Sequence, residues 1–247
     1  MRVAALYDIH GNLPALEAVL ADIARANVDQ LVVGGDVVPG PMPLETLARL
    51  RALDIPVQFI HGNGEVAVLA EMAGEIPQVP EQFRAVIAWN ARQLTDVEKT
   101  QIAQWPMTHQ LHVGGVGETL FCHATPRNVT EIFLRTTAEE RLVPVFSGVT
   151  AAAVICGHTH MQFDRQVGRL RVVNAGSVGM PFGEPGAYWL LLGPDVELRR
   201  TDYDFDSAAE RVRRTNYPQA EAFAVHNILR PPSETDMIER FSKTELQ

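Results

Sequence analysis

Three short apolar runs, each followed by a stretch with helical spacing, organise the first third of the chain. The runs at residues 3–7, 31–34 and 57–60 are typical of buried strands. Because strands and helices alternate, parallel strands with helices packed outside them are predicted. The predicted helices of this part cover residues 13–25, 43–52 and 65–73.

The pattern changes after residue 76. Two helical stretches lie between prolines and predict a helical insertion over residues 76–106. Residues 109–200 are rich in short strand-like runs, so a second sheet is expected. The tail, residues 205–247, predicts helices, with Ser233 as the cap of the last one. The predicted strands of the second half cover residues 109–113, 119–122, 153–156, 163–167, 170–173, 188–192 and 196–200.

Length and composition favour one globular domain. The 247 residues suffice for a single large α/β domain, which is predicted to cover residues 1–247. No window approaches the roughly 18 consecutive apolar residues of a membrane-spanning helix. Met1 leads directly into the first strand without a signal-peptide pattern, so a cytoplasmic location is expected.

Charge and cysteine content narrow the range of partners. The formal net charge of -9 argues against a broad grip on nucleic acid, which requires a basic face. The two cysteines, Cys122 and Cys156, cannot form a disulfide framework and fit a reducing compartment. Both are expected to be buried thiols at strand ends.

Seven metal-capable side chains lie in five short clusters, each directly after an apolar run. Because ligands gather at the carboxyl ends of parallel strands, these side chains are expected to meet at one edge. Two carboxylates, one amide oxygen and four imidazoles suit two neighbouring divalent transition ions better than one structural zinc. The side chains belong to Asp8, His10, Asp36, Asn63, His123, His158 and His160.

The spacing of the two aspartate clusters supports this interpretation. Asp8 and His10 are two residues apart, so both can lean to one side where the chain leaves a strand. Asp36 follows two glycines, which let the backbone approach an ion closely. Its two oxygens can bridge cations that are roughly 3.5 to 4 Å apart, as in two-metal hydrolases.

The remaining clusters each have an ordinary alternative. Asn63 lies in a Gly-Asn-Gly sequence that can be a simple turn, and His158 and His160 can be exposed loop histidines. A lone histidine at a strand end, such as His123, is more often a hydrogen-bonded core residue than a ligand. The combination of all the clusters at strand ends favours a metal site.

The order of the clusters resembles the calcineurin-like metallophosphoesterase superfamily, whose motifs run D-x-H, G-D, G-N-H-D/E, a lone H, and G-H-x-H. All five motifs have counterparts here. Residues 35–41, 123–127 and 174–179 also look like the small prokaryotic phosphodiesterase branch. The resemblance covers residues 1–217 and implies a four-layer α/β/β/α sandwich of two mixed sheets flanked by helices.

The resemblance also implies two divalent metal ions, with Mn²⁺ as the first choice and Fe, Zn, Co or Ni behind it. A hydroxide bridging the ions would attack phosphorus, with Asp36, Asn63 and His123 as candidate catalytic residues. Arg127 is the candidate substrate-binding residue, since it lies four residues after His123. The implied ligand sets are Asp8, His10, Asp36 and His160 for one ion, and Asp36, Asn63, His123 and His158 for the other.

One position departs from the family pattern. A histidine that serves the departing oxygen often follows the asparagine, but this chain has Gly64 there. General acid catalysis is worth about 10² to 10⁴-fold, so poor leaving groups should suffer most. His61 is near in sequence but awkwardly placed to substitute, and Glu65 is expected to cap the following helix or brace the ligands.

These features predict a dinuclear metal-dependent phosphoesterase that acts on small phosphodiesters or activated phosphomonoesters. A protein phosphatase or a dinucleoside-polyphosphate hydrolase is the nearest alternative. Those branches usually carry G-D-x-x-D-R-G, whereas Asp36 is followed here by Val-Val-Pro-Gly. A catalytically weak metal-binding scaffold is a further alternative, favoured by Gly64 and disfavoured by the complete set of ligands.

Overall fold

Two five-stranded sheets pack face to face in the computed structural model, which describes residues 1–246. The first sheet has the order β10-β9-β1-β2-β3 and the second the order β4-β5-β6-β8-β7. The strands are β1 (Val3–Leu6), β2 (Gln30–Val33), β3 (Val57–Phe59), β4 (Thr108–Val113), β5 (Gly117–Cys122), β6 (Ala153–Cys156), β7 (Phe163–Val167), β8 (Leu170–Asn174), β9 (Ala187–Leu192) and β10 (Val196–Thr201).

Helices cover the outer faces of both sheets. Most of them pack on the first sheet, and α6 packs on the second. Helix α8 continues into a π-helical segment, Ala224–Leu229. The helices are α1 (Leu13–Arg25), α2 (Pro43–Arg51), α3 (Asn63–Met72), α4 (Glu81–Gln93), α5 (Asp96–Ala103), α6 (Glu139–Phe146), α7 (Phe205–Arg213), α8 (Ala220–Phe223) and α9 (Glu234–Ser242).

Strand β1 shows why the first sheet has no alternating polar pattern. Its residues are buried on both faces, because Val3 and Ala5 point to the second sheet while Ala4 and Leu6 point to the helices. Strands β1, β2 and β3 are parallel, as the alternation of strands and helices predicted. The hydroxyl of Tyr7 crosses the interface between the sheets and donates to the carbonyl of Ile155 at 3.0 Å.

Helix α6 has no counterpart among the predicted elements. It spans eight residues and contains Pro144, which removes an N–H donor and ordinarily ends a helix. Tertiary packing overrides this local preference, because Leu142, Val145 and Phe146 lie in the apolar cluster on the outer face of the second sheet.

The predicted helical insertion forms α4 and α5 and packs on the outer helical layer. Val86, Ile87 and Ile102 join the core there. The Asn90 side chain accepts a hydrogen bond from the backbone N–H of Gly40 at 3.1 Å, so α4 also contacts the loop that follows β2. The predicted fold class is confirmed by the two mixed sheets and their flanking helices. Within residues 1–246, no helix has the length and apolar content needed to cross a bilayer.

Candidate metal centre

The seven predicted ligands lie where strands of both sheets end. Asp8 and Asp36 follow β1 and β2, and Asn63 opens α3 shortly after β3. His123 follows β5, whereas His158 and His160 follow β6 in the second sheet. Both sheets therefore contribute predicted ligands to one rim.

One part of the site is built from Asp8, His10 and His160. The Nε2 atom of His160 lies 3.2 Å from Asp8 Oδ1, and the Nε2 atom of His10 lies 3.8 Å from the same oxygen. The two imidazole Nε2 atoms are 3.4 Å apart. One potential ligand atom from each of these residues falls within 4.8 Å of the others, a spacing that one cation can span.

Asp36 lies between this group and His123. Its Oδ2 atom is 3.6 Å from His10 Nε2, and its Oδ1 atom is 3.6 Å from His123 Nε2. Each carboxylate oxygen therefore faces a different imidazole, which is the arrangement expected of a bridging aspartate. Asp8, Asp36 and His123 form a second group whose ligand atoms lie within 4.8 Å of one another.

The second predicted ligand set is less compact. Asn63 Oδ1 lies 3.0 Å from His123 Nε2. The His158 ring centroid is 5.2 Å from that of His123, with the planes 62° apart. The backbone N–H of His158 donates to Asp8 Oδ2 at 2.8 Å, which ties the end of β6 to the end of β1.

Backbone carbonyls orient three of the imidazoles. The Nδ1 atoms of His10, His123 and His160 lie 3.2, 2.9 and 2.7 Å from the carbonyl oxygens of Pro39, Gly34 and Met180, respectively. Donation from Nδ1 to a carbonyl fixes the tautomer that leaves Nε2 as the free ligand atom. In each ring Nε2 is the atom that faces an aspartate.

Five of the predicted ligands have left-handed backbone conformations. The φ angles of Asp8, His10, Asp36, His158 and His160 lie between +46° and +66°. This region is unfavourable for residues other than glycine, and each such residue costs about 1 to 3 kcal/mol. Strain of this kind, concentrated at one rim, is typical of a functional site.

The charges of the site are mutually dependent. Burial alone would raise the pKa of Asp8, but the imidazoles of His160, His123 and His10 lower it well below its usual range. Burial alone would lower the pKa values of His123 and His160, but the neighbouring carboxylates of Asp8 and Asp36 raise them. The imidazoles and the carboxylates at this rim therefore stabilise each other's charged forms.

Two observations fit divalent cations. Asp8 Oδ1 is buried and, when His160 carries its proton on Nδ1, receives no hydrogen bond within residues 1–246, which is unfavourable for a buried polar atom. Burial and the neighbouring His123 lower the pKa of His158 to about 4, so its ring is neutral at physiological pH and keeps a free lone pair. Carboxylate oxygens with neutral imidazoles are the donors that divalent transition ions accept.

Glu65 holds the loop that carries Asp36. Its Oε1 atom accepts the N–H groups of Val37 and Val38 at 2.7 and 3.1 Å, and its Oε2 atom accepts those of Asp36 and Gly62, both at 2.8 Å. Glu65 thus caps α3 and braces a ligand, as the sequence suggested. Burial and the Asp36 carboxylate raise its pKa to about 7, against the effect of these N–H donors.

Replacing Glu65 with glutamine is expected to lower the free energy of unfolding by about 2 to 4 kcal/mol. Each carboxylate oxygen of Glu65 accepts two backbone N–H groups. In either orientation of the glutamine amide, its NH₂ group replaces one of these oxygens, so two N–H donors face another donor. Chemical denaturation at pH 8 measures the loss. Glu98→Gln, in the more exposed capping box of α5, is the matched control and should cost less than about 1 kcal/mol; equal losses would contradict the bracing role.

Gly64 occupies a space with no room for a side chain. A Cβ atom there would lie 2.2 Å from the carbonyl oxygen of Val38 and 2.7 Å from Pro39 Cδ. The Gly64 N–H donates to Asp36 Oδ1 at 2.7 Å. The loop after β2 therefore closes over the position where the family often has histidine.

Among residues 1–246, neither the Arg127 nor the His61 side chain makes a hydrogen bond or ion pair with a predicted ligand. The Arg127 guanidinium pairs with the carboxylate of Glu131, its Nε lying 3.1 Å from Oε2. The predicted role of Arg127 in substrate binding stays a prediction. The His61 ring lies 6.2 Å from the Trp105 ring, and its Nδ1 is buried without a partner among the described residues 1–246.

Residues 174–179, which carry part of the family resemblance, make specific contacts beside the predicted ligands. Asn174 donates to the Gly157 carbonyl at 2.6 Å and to Thr159 Oγ1 at 3.1 Å, which orders the loop between His158 and His160. The Ser177 hydroxyl donates to the backbone carbonyl of Asp8 at 2.7 Å. In the sequence, only the family resemblance of residues 174–179 pointed to this segment.

Comparison with known proteins agrees with this geometry. The model of the calcineurin-like phosphoesterase superfamily domain matches residues 1–193, which include all seven predicted ligands. Phosphodiesterase YfcE of Escherichia coli strain K12 is 27% identical over 205 residues, which cover 79% of this chain and 89% of the relative.

Two solved structures share the fold. A hypothetical protein from Pyrococcus horikoshii aligns with a TM-score of 0.80 at 19% identity, over 94% of this chain and 99% of its own. A metallophosphoesterase from Sphaerobacter thermophilus aligns with a TM-score of 0.70 at 24% identity, over 91% of this chain and 97% of its own. The family match covers well over half of the sequence. The chain belongs to the calcineurin-like phosphoesterase superfamily and is a metal-dependent phosphoester hydrolase.

Proposed function

We propose that this protein uses two divalent cations to hydrolyse small phosphodiesters or activated phosphomonoesters. The observation that carries the proposal is the position of Asp36, whose two oxygens each lie 3.6 Å from a different imidazole. A carboxylate in this position can serve two ions at once. Mn²⁺ is the proposed ion, with Fe, Zn, Co and Ni as alternatives.

The proposed ligands divide into two sets that share Asp36. The 3.2 to 3.8 Å spacings among Asp8, His10 and His160 support a compact first set. The 3.0 Å separation of Asn63 Oδ1 and His123 Nε2 supports a second set, and the ring of His158 lies next to that of His123. The sets are Asp8, His10, Asp36 and His160 for one ion, and Asp36, Asn63, His123 and His158 for the other.

When bound, the two ions supply charge neutralisation for phosphate oxygens and an activated water for in-line attack at phosphorus. The chain's own residues prepare the rim for this chemistry. Asp8 and Asp36 bring two negative charges, so two bound dications leave the centre net positive and attractive to phosphate esters. The carbonyls of Gly34, Pro39 and Met180 keep the ligand rings oriented, which limits reorganisation during the reaction.

The nature of the proposed substrate follows from Gly64. Glycine has no side chain that could donate a proton to the departing oxygen. Esters whose leaving group is stable as an anion therefore suit the centre best. Small molecules are preferred to polynucleotides because the net charge of the chain is -9.

The test is hydrolysis of bis(4-nitrophenyl) phosphate by purified protein before chelation, after chelation and after addition of Mn²⁺. Activity should disappear on chelation and return with the metal, and metal analysis should give two ions per chain. Activity that is indifferent to both treatments would reject the proposal. Stoichiometric metal without turnover on a broad panel of phosphomonoesters and diesters would favour the scaffold alternative.

A further inference from the structure

The C-terminal segment, residues 230–246, lies beyond the family-matched residues 1–193 and packs against two loops beside the proposed centre. The carbonyl of Pro232 accepts the N–H of Gly183 at 2.8 Å, which ties the segment to the loop after β8. The N–H of Leu246 donates to the carbonyl of Ile132 at 2.9 Å, which ties it to the loop before α6. Both loops lie at the rim that carries the ligands.

Polar side chains reinforce the second attachment. Glu245 accepts hydrogen bonds from Thr137 Oγ1 at 2.9 Å and from Arg141 at 2.8 Å. Glu234, in the first turn of α9, forms an ion pair with Arg135. Surface ion pairs contribute little individually, but together these contacts fix where α9 lies.

An apolar cluster lies beneath these contacts and adjoins the predicted ligand His160. Leu134, Met161 and Met237 are buried at its centre. Met161 directly follows His160 in the chain, so the cluster adjoins the ligand loop. Partly buried members pack around it from the C-terminal helix and the loop after β8, namely Phe182, Ile238 and Phe241.

Phe182 connects the cluster to the ring of His160. The two rings are stacked, with centroids 5.2 Å apart and planes 20° apart. Phe241 of α9 contacts Phe182 with centroids 6.0 Å apart and planes 57° apart. The order of contact is therefore helix α9, Phe182 and then the imidazole of His160.

We propose that Phe182 is a positioning residue for His160 and that α9 holds Phe182 in place. This inference rests on the proposed function, because it assigns His160 to one of two ions. The carbonyl of Met180 fixes one edge of the imidazole at 2.7 Å, and the Phe182 ring fixes its plane. Together they direct Nε2 toward Asp8 Oδ1, 3.2 Å away.

The energetic consequence concerns one ion only. Residues that orient a metal ligand typically change metal affinity by about 10- to 100-fold when they are replaced. His160 belongs to the set with Asp8 and His10, whereas within residues 1–246 the rings of His123 and His158 make no ring contact with Phe182. Loss of the stack should therefore weaken one of the two proposed sites and spare the other.

The experiment compares Phe182→Leu with Phe182→Tyr in the full chain, with Mn²⁺ and Co²⁺ alone as probes. Leucine keeps an apolar side chain but removes the stack, whereas tyrosine keeps it. Competition titration of Phe182→Leu should show one ion bound about 10- to 100-fold more weakly and the other unchanged. The Co²⁺ absorption spectrum of the weakened site should shift, and Phe182→Tyr should stay near wild type in both measurements.

Phe146→Leu is the matched control for loss of an aromatic contact. Phe146 packs edge-on against Phe133 in the cluster outside the second sheet, at 5.6 Å. This variant should lose stability without losing affinity for either ion. Turnover of Phe182→Leu should recover at saturating metal, because the ligands themselves are intact.

Three results would overturn the role of Phe182: unchanged affinity for both ions in Phe182→Leu, equal weakening of both, or a loss of turnover that persists at saturating metal. A loss of turnover that persists at saturating metal would indicate that Phe182 contacts the substrate instead. Failure of the proposed function appears separately, as fewer than two ions bound to wild-type protein. The effect of Phe182→Leu on a single bound ion would then still decide whether Phe182 positions its ligand.

Discussion

Replacing Asp36 with asparagine is expected to lower turnover of an aryl phosphodiester by roughly 10² to 10³-fold and to remove at least one bound ion. Asparagine keeps the shape of the side chain and an oxygen that can accept the Gly64 N–H, now 2.7 Å from Asp36 Oδ1. It also tolerates the left-handed backbone, where φ is +53°. The variant should therefore fold while losing one anionic oxygen of the bridge.

The measurement pairs steady-state kinetics with metal analysis after dialysis against a fixed free Mn²⁺ concentration. Asp164→Asn is the matched control, because it is the same substitution made in a surface ion pair, that of Asp164 with Arg171. It should keep two ions and wild-type turnover. An Asp36→Asn protein that also keeps both would show that this carboxylate does not connect the two ions.

Sheet topology explains why part of the predicted ligand set lies together. In parallel strands the carboxyl ends share an edge, so Asp8 and Asp36 had to lie near each other once β1 and β2 were recognised as neighbours. It was harder to predict from the sequence that His123 and His158, which follow strands of the second sheet, would join them. It required knowing that two sheets pack face to face, which the family resemblance implied and periodicity did not.

Other features of the site have no signal in local sequence. The positive φ angles of Asp8 and His160 are uncommon for any residue other than glycine, although Asp and His adopt them more often than most, so local sequence does not predict them. Glu65 reaches N–H groups that lie 27 to 29 positions earlier, so helix-capping rules reveal only its bond to Gly62. The stack of Phe182 on His160 joins two loops and has no fixed spacing.

Leaving-group dependence is the second large effect expected. Among phosphodiesters with one variable leaving group, kcat/KM should fall by about 10² to 10⁴-fold from nitrophenolates to simple alkoxides, because no acid protonates the departing oxygen. The comparison is made with one metal at saturation, so that only the leaving group changes. A shallow dependence would mean that another side chain supplies the proton.

The missing general acid at Gly64 reflects the surrounding loop as well as the residue itself, because the loop leaves no room for a side chain there. A Cβ at Gly64 would lie 2.2 Å from the Val38 carbonyl oxygen, and backbone cannot yield as a flexible side chain can. Gly64→Ala should therefore destabilise the protein by about 1 to 3 kcal/mol, the cost of overpacking a filled site. Gly148→Ala is the matched control, because a Cβ there meets nothing within 4 Å.

Gly64→His should accordingly fail to rescue poor substrates. The imidazole must begin from a Cβ that overlaps the loop, so the variant either moves Asp36, whose Oδ1 lies 2.9 Å from that Cβ, or does not fold. Activity on nitrophenyl diesters and on alkyl esters should fall together. If Gly64→His instead gained selectively on alkyl esters while keeping its metal, the loop would have room for an acid, and the substrate preference would depend on the missing histidine alone.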